Sequence, residues 1–394
     1  MAAVEFDPFA ARDAVPYEQF AELRRTCPVA PTPTGWYLAR RDDVHEATKA
    51  VDVFVSSFRE PGVVVPEDEK LVSEIAEPRH GKVRRIINAT VAHHKSMRAE
   101  PFVRELCTEY LRPILERGRG ELVGDFVAPV PINVIAHLIG VPPRDWERFR
   151  TWSDEVVEGT YPTKHRNERG EGLAGAHPEF TAYVDALVTA RRTDPDRPDD
   201  LVTRLVETEI DGHRLSDVEI RTQLVFLIIS GNETTRHLIG NLLGRVIADP
   251  DLFARLAADR TLIDQAVEES LRIDPPIHLL IRDCTAATDM FGVPMTPGQK
   301  VVFGIASANR DESVFDEGDR FVLERENVRD HLSFGGGPHI CPGASLARLE
   351  ARVALEVFLD EVGSVAFRDG YTWTKTPVFW ANGPLELPVT VTAR

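Results

Sequence analysis

Apolar positions fall into long helical runs separated by short strand-like pieces. The clearest run opens at Ser216-Asp-Val-Glu219, where a serine followed three residues later by a glutamate forms a capping box. Mostly apolar sequence follows, including the unbroken Leu224–Ile229, as far as Asp249-Pro250, where proline disfavours helix in the residue before it. This predicts a helix of about 33 residues and about 50 Å, enough to cross a whole domain. A second helix is expected over Leu262–Ile273, stopped by Asp274-Pro275-Pro276, and a third from near Pro342 to about Asp360. Pro78 to Ala257 reads as mostly helical. The stretch between Gly159 and Pro178, with Gly159, Gly170, Gly172 and Gly175 among charged residues, reads as a loop. Strand-like pieces are Trp36–Ala39, Val51–Val55, Ile277–Ile281, Met290–Pro294 and Lys300–Phe303. Val378–Val391 is β-like, and Pro61–Pro66 is a loop or short strand.

Composition narrows the class. With 394 residues, 43% hydrophobic and 28% charged, the chain is no disordered polymer. A formal net charge of −17 argues against a nucleic-acid binder that works by neutralising phosphates. The four cysteines, Cys27, Cys107, Cys284 and Cys341, are too few and scattered for a disulfide scaffold, and no two share a C-x-x-C spacing. A reducing, cytoplasmic setting is expected. The N-terminus lacks a basic segment followed by an apolar run, and no apolar run is long enough to span a bilayer, so no membrane association is expected.

The most specific segment is Phe334-Gly-Gly-Gly-Pro-His-Ile-Cys341-Pro-Gly-Ala-Ser-Leu-Ala-Arg. Pro342 suits the first turn of a helix and places Cys341 at its N-terminal end, where free N–H groups lower a thiol's pKa. Three glycines allow a tight turn and a close approach to something flat and large. Such a cysteine could be a reactive thiol, a small buried residue or an axial ligand of haem iron. With its flanks, the segment resembles the haem loop of the cytochrome P-450 family, F-x-x-G-x-[HR]-x-C-x-G, matched at Phe334, Gly337, His339, Cys341 and Gly343.

Other motifs of that family occur in order. Ser230-Gly231-Asn232-Glu233-Thr234-Thr235 places poor helix formers and a carboxylate inside an apolar helix. By itself this is a kink, with a threonine bonded to the carbonyl four residues back and Glu233 exposed. It is also similar to the family's [AG]-G-x-[DE]-T-[TS], where the helix distorts and an acid–alcohol pair relays protons to dioxygen. That implies Glu233 and Thr234 as catalytic residues, with Ser230 departing from the usual Ala or Gly. Glu269-Ser-Leu-Arg272 has carboxylate and guanidinium at i, i+3 on one helix face. The resemblance makes it a buried structural network, with Arg320 of Asp319-Arg320-Phe321 as third member. His80 and Arg84, spaced i, i+4, together with Arg282 and His339, match the cations that hold the haem propionates.

The resemblance implies a mainly α cytochrome P-450 fold, one large helical domain over residues 1–394 with small β-sheets and no fused reductase or ferredoxin. It implies a haem-thiolate monooxygenase with haem b on Cys341, using O2. Candidate pocket residues are Val65, Phe226, Ser230, Ile277, Leu280 and Phe379, with the loop near Tyr161; their apolar character suggests a lipophilic substrate such as a steroid, terpenoid, fatty acyl chain or macrolide. Alternatives are a peroxide-driven peroxygenase or a non-catalytic haem or ligand carrier. Electrons are expected from an acidic ferredoxin with a separate reductase, and the protein is expected to be a monomer. Between Arg79 and Arg104 lie seven basic residues (Arg79, Lys82, Arg84, Arg85, Lys95, Arg98, Arg104) against Glu100 alone; Arg348 and Arg352 extend this block as a docking face.

Overall fold

The computed structural model describes residues 6–10, 12, 14–56, 65–91, 93–160 and 178–394. Of the expected features, Tyr161, most of the 159–178 loop and Gly62 to Val64 lie outside the described residues, as does the side chain of Lys95.

The chain runs α1 (Tyr17–Thr26), β1 (Val29–Thr32), β2 (Gly35–Leu38), α2 (Arg41–Ala47) and β3 (Phe54–Ser56). It continues through α3 (Arg79–Val91), α4 (His93–Arg98), α5 (Glu100–Arg117), β4 (Arg119–Glu121), α6 (Pro129–Ile139), α7 (Trp146–Thr160), α8 (Pro178–Thr193) and α9 (Leu201–Glu207). A short hairpin, β5 (Glu209–Ile210) and β6 (His213–Arg214), precedes α10 (Asp217–Ala248), α11 (Pro250–Ala258) and α12 (Ile263–Ile273). The chain ends with β7 (Leu280–Cys284), β8 (Lys300–Phe303), α13 (Ile305–Ala308), α14 (Ala344–Glu361), β9 (Val362–Phe367) and β10 (Pro388–Ala393).

The central helix is α10, 32 residues long. Ser216 accepts from the Glu219 amide while the Glu219 carboxylate accepts from the Ser216 amide, the reciprocal cap the sequence predicts. Its two halves serve two cores. Ile220, Leu224, Val225 and Ile228 pack with α3, α6, α8 and α9. Leu238, Leu242, Leu243 and Val246 pack with α5, α12, α14 and β10. Each such buried leucine or valine contributes about 1.5–3 kcal/mol. The polar segment from Ser230 to Thr235 falls between the halves, so α10 carries it through the middle of the molecule.

A five-stranded sheet has the order β1-β2-β8-β7-β3; β2 and β8 are parallel and the other pairs antiparallel. A second sheet has the order β4-β10-β9. Three expectations shift. The strand expected over Ile277–Ile281 lies at Leu280–Cys284, because after Pro275-Pro276 the chain pairs through Ile277 only as an isolated bridge to Ala381. Of the β-like Val378–Val391 stretch, only Pro388 onward pairs continuously. The Val51–Val55 piece begins its strand at Phe54. No helix among the described residues is long and apolar enough to cross a membrane.

Candidate functional site: a cysteine loop beside unpaired cations

The glycine-rich loop is closed by its own backbone. The Cys341 amide donates to the Phe334 carbonyl at 2.8 Å, and the Gly335 amide to the Leu332 carbonyl at 2.8 Å. Gly335 and Gly337 have φ of +72° and +60°, conformations that disfavour any side chain. A Cβ on Gly336 would stand 2.6 Å from Thr48 Oγ1, and one on Gly337 would stand 2.3 Å from the Thr48 carbonyl oxygen. These two glycines permit a close approach to the end of α2. Phe334 is half-buried, with the Arg348 guanidinium 4.5 Å above its ring.

Cys341 lies three residues before α14. Burial pushes its thiol up, against the Gly343 amide, the Arg84 and Arg348 guanidiniums and the Ala344 amide, all of which favour the thiolate. The expected lowering at a helix start is thus present but outweighed by desolvation. The thiol is nevertheless accessible; both observations hold if it faces a recess rather than open solvent.

Beside it four basic side chains converge. The rings of His80 and His339 are 4.4 Å apart. His80 Nδ1 bonds Glu77 Oε1 at 2.7 Å, but His80 Nε2 and His339 Nδ1 are buried without a partner. Burial, with His80, Arg282 and Arg84 nearby, holds His339 down to about 4. Arg282 is buried and donates to the Ile281 carbonyl at 2.8 Å; it has no carboxylate partner among the described residues. That burial takes its pKa down to about 10. Among the described residues Arg84 bonds the Asn88 side chain, at 3.1 Å, and burial lowers it too, with Cys341 acting in the opposite sense. A buried guanidinium without a carboxylate, as at Arg282, costs several kcal/mol. In a protein with 63 acidic residues, a cluster that meets so few of them is built for an anion from outside the chain. The haem propionates fit this donor set, and Cys341 at its edge fits the iron.

On α10, Glu233 is buried rather than exposed. It pairs with Arg236 and with His237 Nε2 at 3.0 Å. Burial alone would raise its carboxyl; the two cations hold it down to about 2. Thr234 Oγ1 donates to the Ser230 carbonyl at 2.9 Å, and Ser230 Oγ to the Phe226 carbonyl. Phe226, Ser230 and Thr234 thus form one line along the helix. The helix stays α throughout, because these hydroxyls add to the backbone ladder without replacing it; the expected distortion is not seen.

The Glu269–Arg272 pair is fully buried, with Nε–Oε2 at 2.7 Å and both side chains 0% exposed. Its third member is Arg325, not Arg320. Arg325 Nε lies 3.2 Å from Glu269 Oε1, whereas the Arg320 side chain is 70% exposed and reaches Glu317. Arg320 contributes only its carbonyl, which accepts from Arg272 at 2.8 Å. Sequence reasoning also missed Glu268. It takes Arg348 in two bonds of 2.6 and 3.0 Å and His331 Nε2 at 3.0 Å. Burial would raise it, but His331 and Arg348 hold it down to about 2. Its signal lay in the paired acids Glu268-Glu269, of which Glu268 faces Arg348 and Glu269 faces Arg272 and Arg325.

The basic block is largely neutralised internally. Arg79 pairs with Glu219, Lys82 with Asp211, and Arg104 and Arg352 both with Glu100 and Glu356. Arg348 is held by Glu268. Arg85 and Arg98 are exposed and have no ion-pair partner among the described residues. The pocket candidates Val65, Phe226, Ser230, Ile277, Leu280 and Phe379 are all half-buried. Leu280 Cδ1 comes within 3.9 Å of a Cβ built on Gly335, and Phe379 meets Phe9 edge-on at 5.7 Å.

Fold and site together define a mainly helical protein with a cysteine loop beside two histidines and two arginines, the arginines without a carboxylate partner among the described residues. The family model for cytochrome P-450 matches residues 166–362. A steroid C26-monooxygenase of Mycolicibacterium smegmatis is 32% identical over 338 residues, 85% of this chain and 83% of that protein. An erythromycin C-12 hydroxylase of Saccharopolyspora erythraea is 32% identical over 365 residues, 92% of this chain and 91% of that protein. A solved cytochrome P-450 of Chondromyces apiculatus superposes with a TM-score of 0.87 at 31% identity, covering 100% of both chains. The chain belongs to the cytochrome P-450 family, among the bacterial monooxygenases.

Proposed function

We propose that this enzyme hydroxylates a lipophilic small molecule with O2, using haem b bound through the Cys341 thiolate and electrons from a separate acidic ferredoxin and its reductase. The observation that carries the reading is the meeting of Cys341 with four basic side chains, of which His80 Nε2 and His339 Nδ1 are buried without a partner and Arg84 and Arg282 have no carboxylate partner among the described residues. Haem, when bound, supplies the redox-active iron at which dioxygen is reduced, with the thiolate ligation typical of this family.

The chain's own residues do the rest. Cys341 Sγ would hold the iron, and the Gly343 and Ala344 amides favour its negative charge. His80 Nε2, His339 Nδ1 and the Arg84 and Arg282 guanidiniums would hold the propionates, whose charge would offset the desolvation the arginines carry. Phe334 shields the loop beneath Arg348. Glu233 and Thr234 move protons. Thr234 Oγ1 gives its hydrogen to the Ser230 carbonyl and keeps its lone pairs free to accept one from water, while Glu233 is held as a carboxylate able to take a proton up. Half-buried Phe226, Ile277, Leu280 and Phe379 leave apolar surface for substrate, and the steroid and macrolide named for the two relatives share that lipophilic character. Arg85 and Arg98, exposed and without an ion-pair partner among the described residues, are cations for an acidic electron donor.

The test is a screen of steroids, terpenoids, fatty acids and macrolides for a Soret shift, followed by turnover of the hits. Product should form with ferredoxin, reductase and O2, and Thr234→Ala should divert electrons to hydrogen peroxide without loss of substrate affinity. Turnover driven by peroxide alone, with Thr234→Ala unchanged, would overturn the reading in favour of a peroxygenase.

A further inference from the structure

Glu233 and Thr234 are adjacent in sequence but point apart along α10. Thr234 bonds four residues back to Ser230, whereas Glu233 is drawn forward to Arg236 and His237. In this arrangement the acid and the alcohol do not touch, so relaying a proton requires Glu233 to leave its cations.

The His237 ring is held from outside its helix. A Cβ on Gly383 would lie 2.1 Å from His237 Cδ2, so only glycine leaves room for the imidazole. Thr376 Oγ1 stands 3.4 Å from His237 Nε2. His237 is 1% exposed, and its Nδ1 is buried with no partner. The groups facing the ring are Glu233 and Arg236 from α10, and Thr376 and the Gly383 backbone from the 374–383 segment. Next to them Lys375 bonds the Thr376 and Val378 carbonyls at 2.8 Å. Glu233 is the one carboxylate in ion-pair range of His237 among the described residues.

We propose that His237 is a positioning residue of the proton relay, a latch that holds the Glu233 carboxylate away from Thr234 when the imidazole is charged and releases it when the imidazole is neutral. This rests on the reading of Glu233 and Thr234 as the relay. Arginine stays charged at every working pH, so Arg236 is a constant partner. Histidine is the side-chain type whose charge changes between about pH 5 and 8, so His237 is the variable one. The ring cannot swing away, because Gly383 walls it in. Its charge, not its place, is therefore what changes the hold on Glu233.

The experiment measures, in the reconstituted holoenzyme with a turned-over substrate, the share of electrons lost to hydrogen peroxide across mildly acid to mildly alkaline pH. In the wild type that share should rise several-fold on acidification. In His237→Gln, which keeps a neutral donor, the profile should be flat, with substrate affinity unchanged. An independent readout is the NMR titration of the His237 ring in the diamagnetic carbon-monoxide-bound protein, identified by its loss in His237→Gln. The pH profile of its chemical shift should differ between Glu233→Gln and the wild type. A His237→Gln profile that keeps the wild-type pH dependence, or a ring titration that ignores Glu233→Gln, overturns the latch. Thr234→Ala separates the two levels. If it leaves coupling unchanged, the relay itself is wrong; if it uncouples while His237→Gln behaves as wild type, only the latch fails.

Discussion

Replacing Arg325 should damage this protein far more than replacing Arg320, although Arg320 is the arginine that sequence similarity singles out. Arg325 Nε lies 3.2 and 3.3 Å from the two Glu269 oxygens, and its amino groups serve the carbonyls of Asp316, Glu317 and Arg320. In Arg325→Ala, Glu269 keeps Arg272 and the Val322 amide but loses a cation in a site with no solvent, and three carbonyls lose a donor. Breaking one partner of a buried pair costs about 3–5 kcal/mol. Against a total stability of about 5–15 kcal/mol, that is enough to leave much of the protein unfolded or unable to retain haem. Arg320 makes one exposed pair with Glu317, worth at most about 1 kcal/mol, and its carbonyl survives substitution. Urea unfolding followed by circular dichroism, together with haem per chain after purification, measures both variants. The reasoning predicts a large loss for Arg325→Ala and near wild-type behaviour for Arg320→Ala. Equal losses, or the reverse order, would refute the assignment of the network.

Glu268 is held down to about 2 from an ordinary 4.5, so its stabilisation is full above about pH 4.5 and is lost as pH falls toward 2. Integrated over that window it amounts to about 3 kcal/mol, and Glu268→Gln should show a correspondingly flatter acid-unfolding curve. An unchanged curve would mean the carboxylate is not what His331 and Arg348 stabilise. Arg282→Leu should stabilise the haem-free protein to heat, since it removes an unpaired buried charge, while haem dissociates faster. If both properties worsen, Arg282 is a packing residue. Arg85→Glu with Arg98→Glu should slow ferredoxin-driven reduction, most at low ionic strength, and more than Lys82→Glu, whose ammonium already pairs with Asp211. Reduction rates indifferent to salt and to charge place the docking face elsewhere.

The elements legible in the sequence were those with local signals. The α10 cap at Ser216 and Glu219, the stop at Pro250 and the β8 strand appear where spacing put them. The β9 strand was missed because Val362 follows α14 directly, with no proline or polar break to announce it. The β1 strand was missed because Pro28 and Pro31 conceal its alternation; it is an edge strand, where proline is tolerated. Among the site residues, Cys341 and its glycines belong to one contiguous loop and could be read together. The roles of Arg320 and Arg325 could not be separated, because both follow Glu269 at long range and no local spacing tells which side chain turns inward. The same holds for the basic block. Its charge was countable, but its partners Asp211, Glu219 and Glu356 lie more than a hundred residues away.

The account stands on Cys341 as a thiolate ligand. The most direct test is the absorbance of the reduced, carbon-monoxide-treated protein, compared between the wild type and Cys341→His with haem content matched. The wild type should show the red-shifted Soret band of a thiolate-ligated haem, and Cys341→His should keep haem but lose that band. A red-shifted band persisting in Cys341→His, or absent from freshly purified wild type, would contradict it.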